Sequence, residues 1–367
     1  MPKSKYYETV SRREKCFLIG VATHAEKRHE VETNLEELSA LADTAGAVVV
    51  DRIIQERPRV DPAFYLGTGK SEEIAERVLN ENIDLLIFDN ELSSTQVKNL
   101  EQLLQVKVID RTALILDIFA AHARTREAKL QVEMAQLNYY LPRLTRQWSH
   151  LSRQVGGIGT KGPGETQLET DRRLLRTRIA YLKHELEKIE NQNRTQRKKS
   201  KGLVNVAIIG YTNAGKSTVM NALTKADSKV ENKLFATLDT TVRRLNLGNG
   251  KMVLLSDTVG FIRKLPPTLI ASFRTTLSQT IESDILLHIV DISDHHFKEH
   301  IDVVREILTE LNIVEKPTIL IMNKVDQIND TLILQEGKSY YPDALFISAK
   351  KNIRLDRIKE TIAELIG

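Results

Sequence analysis

The stretch GYTNAGKS carries the spacing Gly210-x-x-x-x-Gly215-Lys216-Ser217 directly after the apolar run VNVAII. Glycines at that spacing let backbone N–H groups approach phosphate oxygens, and the helix predicted over TVMNAL adds its positive N-terminal field. In such a loop the ammonium of Lys216 reaches the β- and γ-phosphates and the hydroxyl of Ser217 coordinates Mg²⁺. The loop does not choose a base, but ILIMNKVD does, because it delivers Asn323, Lys324 and Asp326 from the end of a strand. The Asp326 carboxylate can accept from guanine N1–H and the 2-amino group. Adenine lacks those donors, and a buried polar mismatch discriminates by orders of magnitude. LFISAK places Ser348, Ala349 and Lys350 at another strand end, where they back the guanine.

Between these motifs VLLSDTVG supplies Asp257-x-x-Gly260 after an apolar run. Asp257 is suited to hold a metal through water, and the N–H of Gly260 to sense the γ-phosphate. KLFATLDTTVRR fills the interval of a first switch loop. Thr237 is the expected second Mg²⁺ ligand there, with Thr240 and Thr241 as rivals. Segments held by the γ-phosphate and released on its loss form an order–disorder switch. Lys216, Thr237 and Gly260 are thus the candidate catalytic groups. Phe261 stands where Ras-like enzymes carry a glutamine that orients the attacking water. Unstimulated hydrolysis is therefore expected to be slow, with a partner repositioning a switch or supplying a missing group. FIRKLPPTLIASFRTTLSQTIESD reads as a second-switch helix whose Arg263 and Lys264 either meet a partner or are solvated.

The elements that must position these groups alternate along the chain. CFLIGVA, AVVVDRII, DLLIFD and VKVID read as strands, separated by helices such as HEVETNLEELSALADTA and SEEIAERVLNEN. That alternation predicts a small parallel α/β layer. YLGTGKSEEI resembles the end of a phosphate loop without its first glycine, and Ser71 before Glu72 and Glu73 reads as a helix cap. From Thr112 to Leu141 the pattern is helical. Leu130, Met134, Leu137, Leu141, Leu144, Trp148 and Leu151 recur at 4-3 spacing, as do Leu175, Ile179, Leu182, Leu186 and Ile189. Two narrow apolar seams around a short loop predict an antiparallel hairpin, broken near Pro142. Five glycines fall within nine residues of GGIGTKGPGETQLETDRR, and no strand precedes them, so this stretch reads as the projecting tip of the hairpin rather than a phosphate cradle. The second helix is expected to start near Pro163–Glu165, and NRTQRKKSKG to end it as a linker. The fold class expected is α/β: an N-terminal parallel α/β domain over 1–111, a helical hairpin over 112–201 and a Ras-like P-loop GTPase domain over 202–367.

Composition is that of an ordinary globular chain, 41% hydrophobic and 28% charged over 367 residues. The formal net charge of +4 hides an asymmetry. Residues 141–201 hold 15 Lys/Arg against 6 Asp/Glu, a local +9, which leaves −5 elsewhere and points to a polyanionic partner. The single Cys16 lies in an apolar run and reads as a buried strand residue. The histidines show no metal spacing, and His295–His296 read as surface residues. No secretory h-region or membrane-length apolar run is present, so a cytoplasmic monomer is expected.

The chain resembles the HflX family of ribosome-associated GTPases. GGIGTKGPGETQLETDRR resembles its hallmark, and YLGTGKSEEI, FATLD and DTVGFIRKLPPTL resemble its other signatures. The resemblance implies a GTP hydrolase using Mg²⁺, bound to the large (50S) ribosomal subunit and its rRNA, that splits or rescues stalled ribosomes. Its nucleotide site falls here on Gly210, Tyr211, Thr212, Asn213, Ala214, Gly215, Lys216 and Ser217. It continues through Phe235, Ala236, Thr237, Leu238 and Asp239, then Asp257, Thr258, Val259 and Gly260, with Asn323, Lys324, Val325 and Asp326, and finally Ser348, Ala349 and Lys350. Its metal ligands fall on Ser217 and Thr237. The tip, with Gly156 and Gly157, is expected to approach the peptidyl-transferase region, while Arg146, Arg153, Lys161, Arg172 and Arg173 neutralise rRNA phosphates. Two alternatives use the same residues: a checkpoint in large-subunit assembly, and an rRNA clamp in which nucleotide is only a structural ligand.

Overall fold

The computed structural model describes residues 13–144, 163–199, 202–225, 234–235, 237–239, 241–248, 250–266, 269, 280–313, 315–328 and 330–367, with side chains in the long helix from 169 to 192. Its contacts separate into two compact units. One comprises Met1–Ile118 with Pro142–Leu168, the other Phe119–Leu141 with Glu169–Gly367.

The first unit holds a four-stranded parallel sheet of order β2-β1-β3-β4, formed by β1 (Lys15–Ala22), β2 (Val48–Glu56), β3 (Leu85–Phe88) and β4 (Lys107–Asp110). All four strands are those the apolar runs predict. β1 is central and buried along nearly its whole length, so it reads as an unbroken apolar run. The edge strand β2 alternates between exposed and half-buried positions. Between the strands lie α1 (Arg28–Thr44), α2 (Thr68–Glu81) and α3 (Ser94–Leu104). Cys16 is fully buried, and burial pushes its thiol up to about 12, which removes it as a nucleophile at neutral pH. Ser71 is not the cap of α2. The helix begins three residues earlier, after Gly67, and the Ser71 hydroxyl donates back to the Gly67 carbonyl at 3.1 Å. Next to β4, Arg111 is almost completely buried and binds Asp89, Glu37 and the carbonyl of Asn34 at 2.6–2.9 Å. A buried guanidinium is tolerated because its donors are matched in this way.

The helical stretch after β4 consists of two helices, α4 (Arg111–His122) and α5 (Arg126–Tyr140). The break falls at Thr125, whose Oγ1 accepts from the N–H of Ala128 as the N-cap of α5. Helix α5 ends just before Pro142, as expected. Helix α6 (Pro163–Lys199) starts at the predicted proline but runs on to Lys199 through the stretch expected to be a linker. That stretch is rich in Gln, Arg and Lys and has no helix breaker before Gly202, which adopts φ 118°. Residues 145–162, which hold Trp148 and the glycines of the expected tip up to Gly162, lie outside the described residues.

Helices α5 and α6 are antiparallel. Arg126 pairs with Glu185 at 2.6 Å and Arg178 with Glu133 at 2.7 Å, so an advance along one helix is a retreat along the other. Exposed pairs of this kind contribute at most about 1 kcal/mol each, and they report orientation more than stability. On α6 the predicted seam is correct: Leu182 and Leu186 are buried, and Leu175, Ile179 and Ile189 are half-buried. On α5 it is rotated. Leu130, Met134 and Leu137 are half-buried, while Ala128, Gln131, Val132, Ala135 and Tyr139 are the enclosed positions. The enclosed stripe includes small and polar side chains, which a search by hydrophobic size passes over.

The same unit carries a six-stranded sheet of order β10-β9-β8-β5-β7-β6, parallel except for its edge strand β6. Its strands are β5 (Val204–Gly210), β6 (Thr241–Gly248), β7 (Lys251–Asp257), β8 (Ile285–Asp291), β9 (Thr318–Asn323) and β10 (Leu345–Phe346). Helices α7 (Lys216–Thr224), α8 (Phe297–Glu310), α9 (Thr331–Tyr340) and α10 (Leu355–Ile366) accompany them. β5 shows why the sheet has two cores: Val206 and Ile208 pack with α7 and α10, whereas Ala207 and Ile209 pack with α8. Leu182→Ala is expected to cost about 2–5 kcal/mol, against less than about 0.5 for exposed Leu174→Ala. Urea denaturation of the two variants checks the contrast.

Candidate functional site

The carboxyl ends of β5, β7 and β9 and the residues before α10 bring the expected motifs together. Three glycines hold them in contact. Gly210 has φ 147°, and a β-carbon there would fall 2.2 Å from the carbonyl oxygen of Ile289. Gly215, at φ 91°, would meet the Asn323 side-chain nitrogen at 2.4 Å, and Gly260 would meet Lys216 Nζ and Thr212 Cα at 2.9 Å. Each glycine is thus required by a different neighbour: the backbone of β8, Asn323, and the loop holding Thr212 and Lys216.

Lys216 is buried, and its Nζ donates to the carbonyls of Gly210 and Tyr211 at 3.1 and 2.7 Å. Burial pushes its pKa down to about 8. Lys324 adds to the effect, and Asp257 opposes it. The hydroxyl of Ser217 donates to Asp257 Oδ2 at 2.6 Å and lies 2.8 Å from Thr237 Oγ1. The Asp257 carboxyl is raised above the usual range by burial, which the Ser217 hydrogen bond partly offsets. Its second oxygen, Oδ1, is buried with no hydrogen-bond partner among the described residues. Two hydroxyls and a carboxylate with an unmatched oxygen form the hard donor set that Mg²⁺ takes. Of the rivals to Thr237, Thr241 is the first residue of β6, paired across to Asp257, and Thr240 lies outside the described residues.

The base-side motifs lock to the loop. Asn323 donates from Nδ2 to the carbonyl of Ala214 at 3.0 Å and accepts from the N–H of Ala349 at 3.0 Å. Lys324, at φ 66°, pairs with Asp291 at 2.5 Å, and the N–H of Val325 donates to Ile347. Ser348 donates to Asp326 Oδ1 at 2.5 Å, which orients that carboxylate. Thr258 Oγ1 donates to the carbonyl of Ile208 at 2.6 Å, and Val259 is buried beside it. An open cleft of about 820 Å³ joins Asn213, Lys216, Ser217, Thr237, Asp257, Gly260, Asp326 and Lys350.

Of the remaining expected residues, Phe235 and Leu238 are buried, and Phe235 adopts φ 54°. Tyr211 stacks on His300 at 3.8 Å, and its hydroxyl accepts from the Arg263 N–H. Arg263 pairs with Glu299, so it engages its own chain rather than standing free for a partner. Arg173 is exposed on α6 and Arg172 half-buried. Arg146, Arg153, Gly156, Gly157, Lys161 and Ala236 lie outside the described residues, as does most of the expected second-switch helix. Phe261 is buried in the core beside Ala207 and Ile209, away from the cleft.

Asp239 lines the same cleft and is also engaged by its own chain. Its carboxylate accepts from the N–H groups of Arg124 and Thr125 and from the Thr125 hydroxyl, at 3.0, 3.2 and 2.5 Å. His122, Arg124, Thr125, Asn221 and Arg243 line the cleft and were not expected there. Thr125 has a readable signal as a helix cap, but nothing in the sequence marks its second partner 114 residues away.

Family models match the chain in three successive parts: GTP-binding GTPase N-terminal over 32–120, GTP-binding GTPase Middle Region over 122–200 and 50S ribosome-binding GTPase over 205–324. The chain is 46% identical to GTPase HflX of Flavobacterium psychrophilum over 374 residues, covering 96% of this chain and 90% of the relative. It is 44% identical to GTPase HflX of Escherichia coli strain K12 over 338 residues, covering 91% and 79%. This chain belongs to the HflX family of GTPases. The crystal structure of SsGBP in complex with GDP is similar throughout, with 27% identity, a TM-score of 0.50 and coverage of 96% of this chain and 98% of that one. The protein is a GTP hydrolase with a P-loop GTPase domain and a ribosome-associated GTPase by family. Among the described residues no helix is long and apolar enough to cross a membrane.

The depressed Lys216 pKa makes a signed prediction. Above pH 8 the free site loses the lysine proton, and polyphosphate binding must restore it, so GDP affinity falls as pH rises from 8 towards 10. Calorimetry at pH 9 in buffers of different ionisation enthalpy should detect uptake of a proton on binding. Below pH 7 the uptake should vanish.

Proposed function

We propose that GTP binds in this cleft with Mg²⁺ on Ser217 and Thr237, orders the two switch segments, and makes the chain competent to bind the large ribosomal subunit. Hydrolysis then permits release, and the consequence of the cycle is the splitting or rescue of stalled ribosomes. The observation that carries this reading is the convergence of the Ser217, Thr237 and Asp257 oxygens within 2.6–2.8 Å beside a buried lysine. Bound Mg²⁺ would neutralise charge developing on the β- and γ-phosphates. The protein's own part is to hold Lys216 against those phosphates, present the Gly260 N–H to the γ-phosphate, and read guanine with Asp326. With Phe261 packed in the core, no side chain at that position orients the attacking water. Slow unstimulated hydrolysis, accelerated by the ribosome, follows. The exposed Arg173 and its neighbour Arg172 on α6, together with the basic composition of 141–201, support an rRNA-facing hairpin in a cytoplasmic protein.

Sucrose-gradient sedimentation of intact ribosomes with GTP, a non-hydrolysable analogue or GDP tests this. GTP-dependent conversion to subunits supports splitting, enrichment on large-subunit precursors alone supports the assembly checkpoint, and no nucleotide-dependent cosedimentation overturns both. The guanine reading has its own check. Asp326→Asn presents a donor where guanine also presents donors, so GTP affinity is expected to fall by at least about a hundredfold and xanthosine triphosphate, with an oxygen at that edge, to gain. Competition binding of the two nucleotides measures the exchange.

A further inference from the structure

We infer that the junction between α4 and α5 is a template for the first switch segment, and that Thr125 and Asp239 are positioning residues for Mg²⁺-dependent hydrolysis, acting through Thr237. The inference rests on the magnesium and GTP reading of the cleft given above. Phe235 and Asp239, on either side of Thr237, are each pinned to α4 or to the junction. At one end the Phe235 ring meets Phe119 edge-on, with centroids 4.7 Å apart, and Phe235 itself sits in the left-handed region at φ 54°. At the other end the Asp239 carboxylate takes two N–H groups and the Thr125 hydroxyl. Thr237 lies between the pins, 2.8 Å from Ser217.

The chemistry of the second pin is that of a shared cap. Thr125 Oγ1 donates to Asp239 and accepts from the Ala128 N–H, so one hydroxyl closes both the α5 N-terminus and the switch. The carboxylate also stands at the positive end of the α5 dipole. That helix is the one ion-paired to α6 through Arg126 and Arg178. Holding Thr237 beside Ser217, where the two would take Mg²⁺, therefore also completes the start of the hairpin, so a bound γ-phosphate and the helix pair would share a single small element. Asp239 is the link in this arrangement.

The test uses the full chain with Thr125→Ala, Thr125→Ser and Asp239→Asn. Thr125→Ala and Asp239→Asn should each lower single-turnover GTP hydrolysis at fixed Mg²⁺ on the order of tenfold, the scale set by loss of one charge-assisted cap. Both should raise the Mg²⁺ concentration giving half the maximal rate. GDP affinity, which needs no ordered first switch, should stay within about twofold, and Thr125→Ser should restore both rate and magnesium dependence. A variant that only weakened the fold would reduce GDP binding and GTP hydrolysis together and leave the magnesium midpoint in place, and that pattern overturns the proposal. So does an unchanged rate and midpoint in both variants. Lys216→Ala, run in parallel, separates this from the reading it rests on: full GTP binding by that variant would remove the nucleotide site itself.

Discussion

At the carboxyl edge of the six-stranded sheet there is no space for three β-carbons. Gly210 lies against the backbone of β8, Gly215 against the side chain of Asn323, and Gly260 against Lys216 and the backbone of Thr212. Close-packed interiors cannot absorb an extra methyl group at such distances without moving backbone. The glycines therefore set how near the loop of residues 210–217, the Asp257 strand and the Asn323 strand come to one another. That nearness buries a lysine and a carboxylate in the same small volume. Lys216 meets the desolvation by turning to its own loop's carbonyls, and Asp257 meets half of it through Ser217. The remaining mismatch is an oxygen aimed at a cation, and a lysine whose ammonium form a polyphosphate would restore.

Hydrolysis depends on a second arrangement built on this one. Phe261 follows the close-packed Gly260, but its ring is part of the core on the α8 side. Its backbone still works for the site, since its N–H donates to Gly210 and its carbonyl accepts from Thr212. A residue committed to packing tethers the phosphate loop to the end of β7 and leaves the orientation of water to other groups. Among the described residues of the 235–239 stretch, by contrast, Phe235 is held by an aromatic pair, and Thr237 and Asp239 by polar contacts. Polar contacts of this kind can be biased by a ligand with modest differential affinity.

Much of this was legible in the chain. The motifs stand at strand ends and each is local in the chain, so it could be read from the sequence that residues 210–217, 257–260, 323–326 and 348–350 would gather at one edge of a sheet, as they do. The four strands of the first unit and the seam on α6 were equally readable from period and apolar run. The reading failed where competing local signals were close in strength. Ser71 looks like a cap but donates back within its helix, the linker after Ile189 is helical because nothing in it breaks a helix, and the buried stripe of α5 is made of Ala, Gln, Val and Tyr rather than its largest aliphatic residues.

The sequence by itself determined that the second unit is a P-loop GTPase domain, because each of its motifs is a run of a few neighbouring residues. Only the tertiary structure decided which intramolecular partners the side chains around these motifs take: Asp239 the start of α5, Arg263 Glu299, Phe261 the core. The physical reason is separation along the chain. A carboxylate and the hydroxyl it meets more than a hundred residues away carry no common period or spacing, and their pairing exists only once folding has brought the two loops to one place.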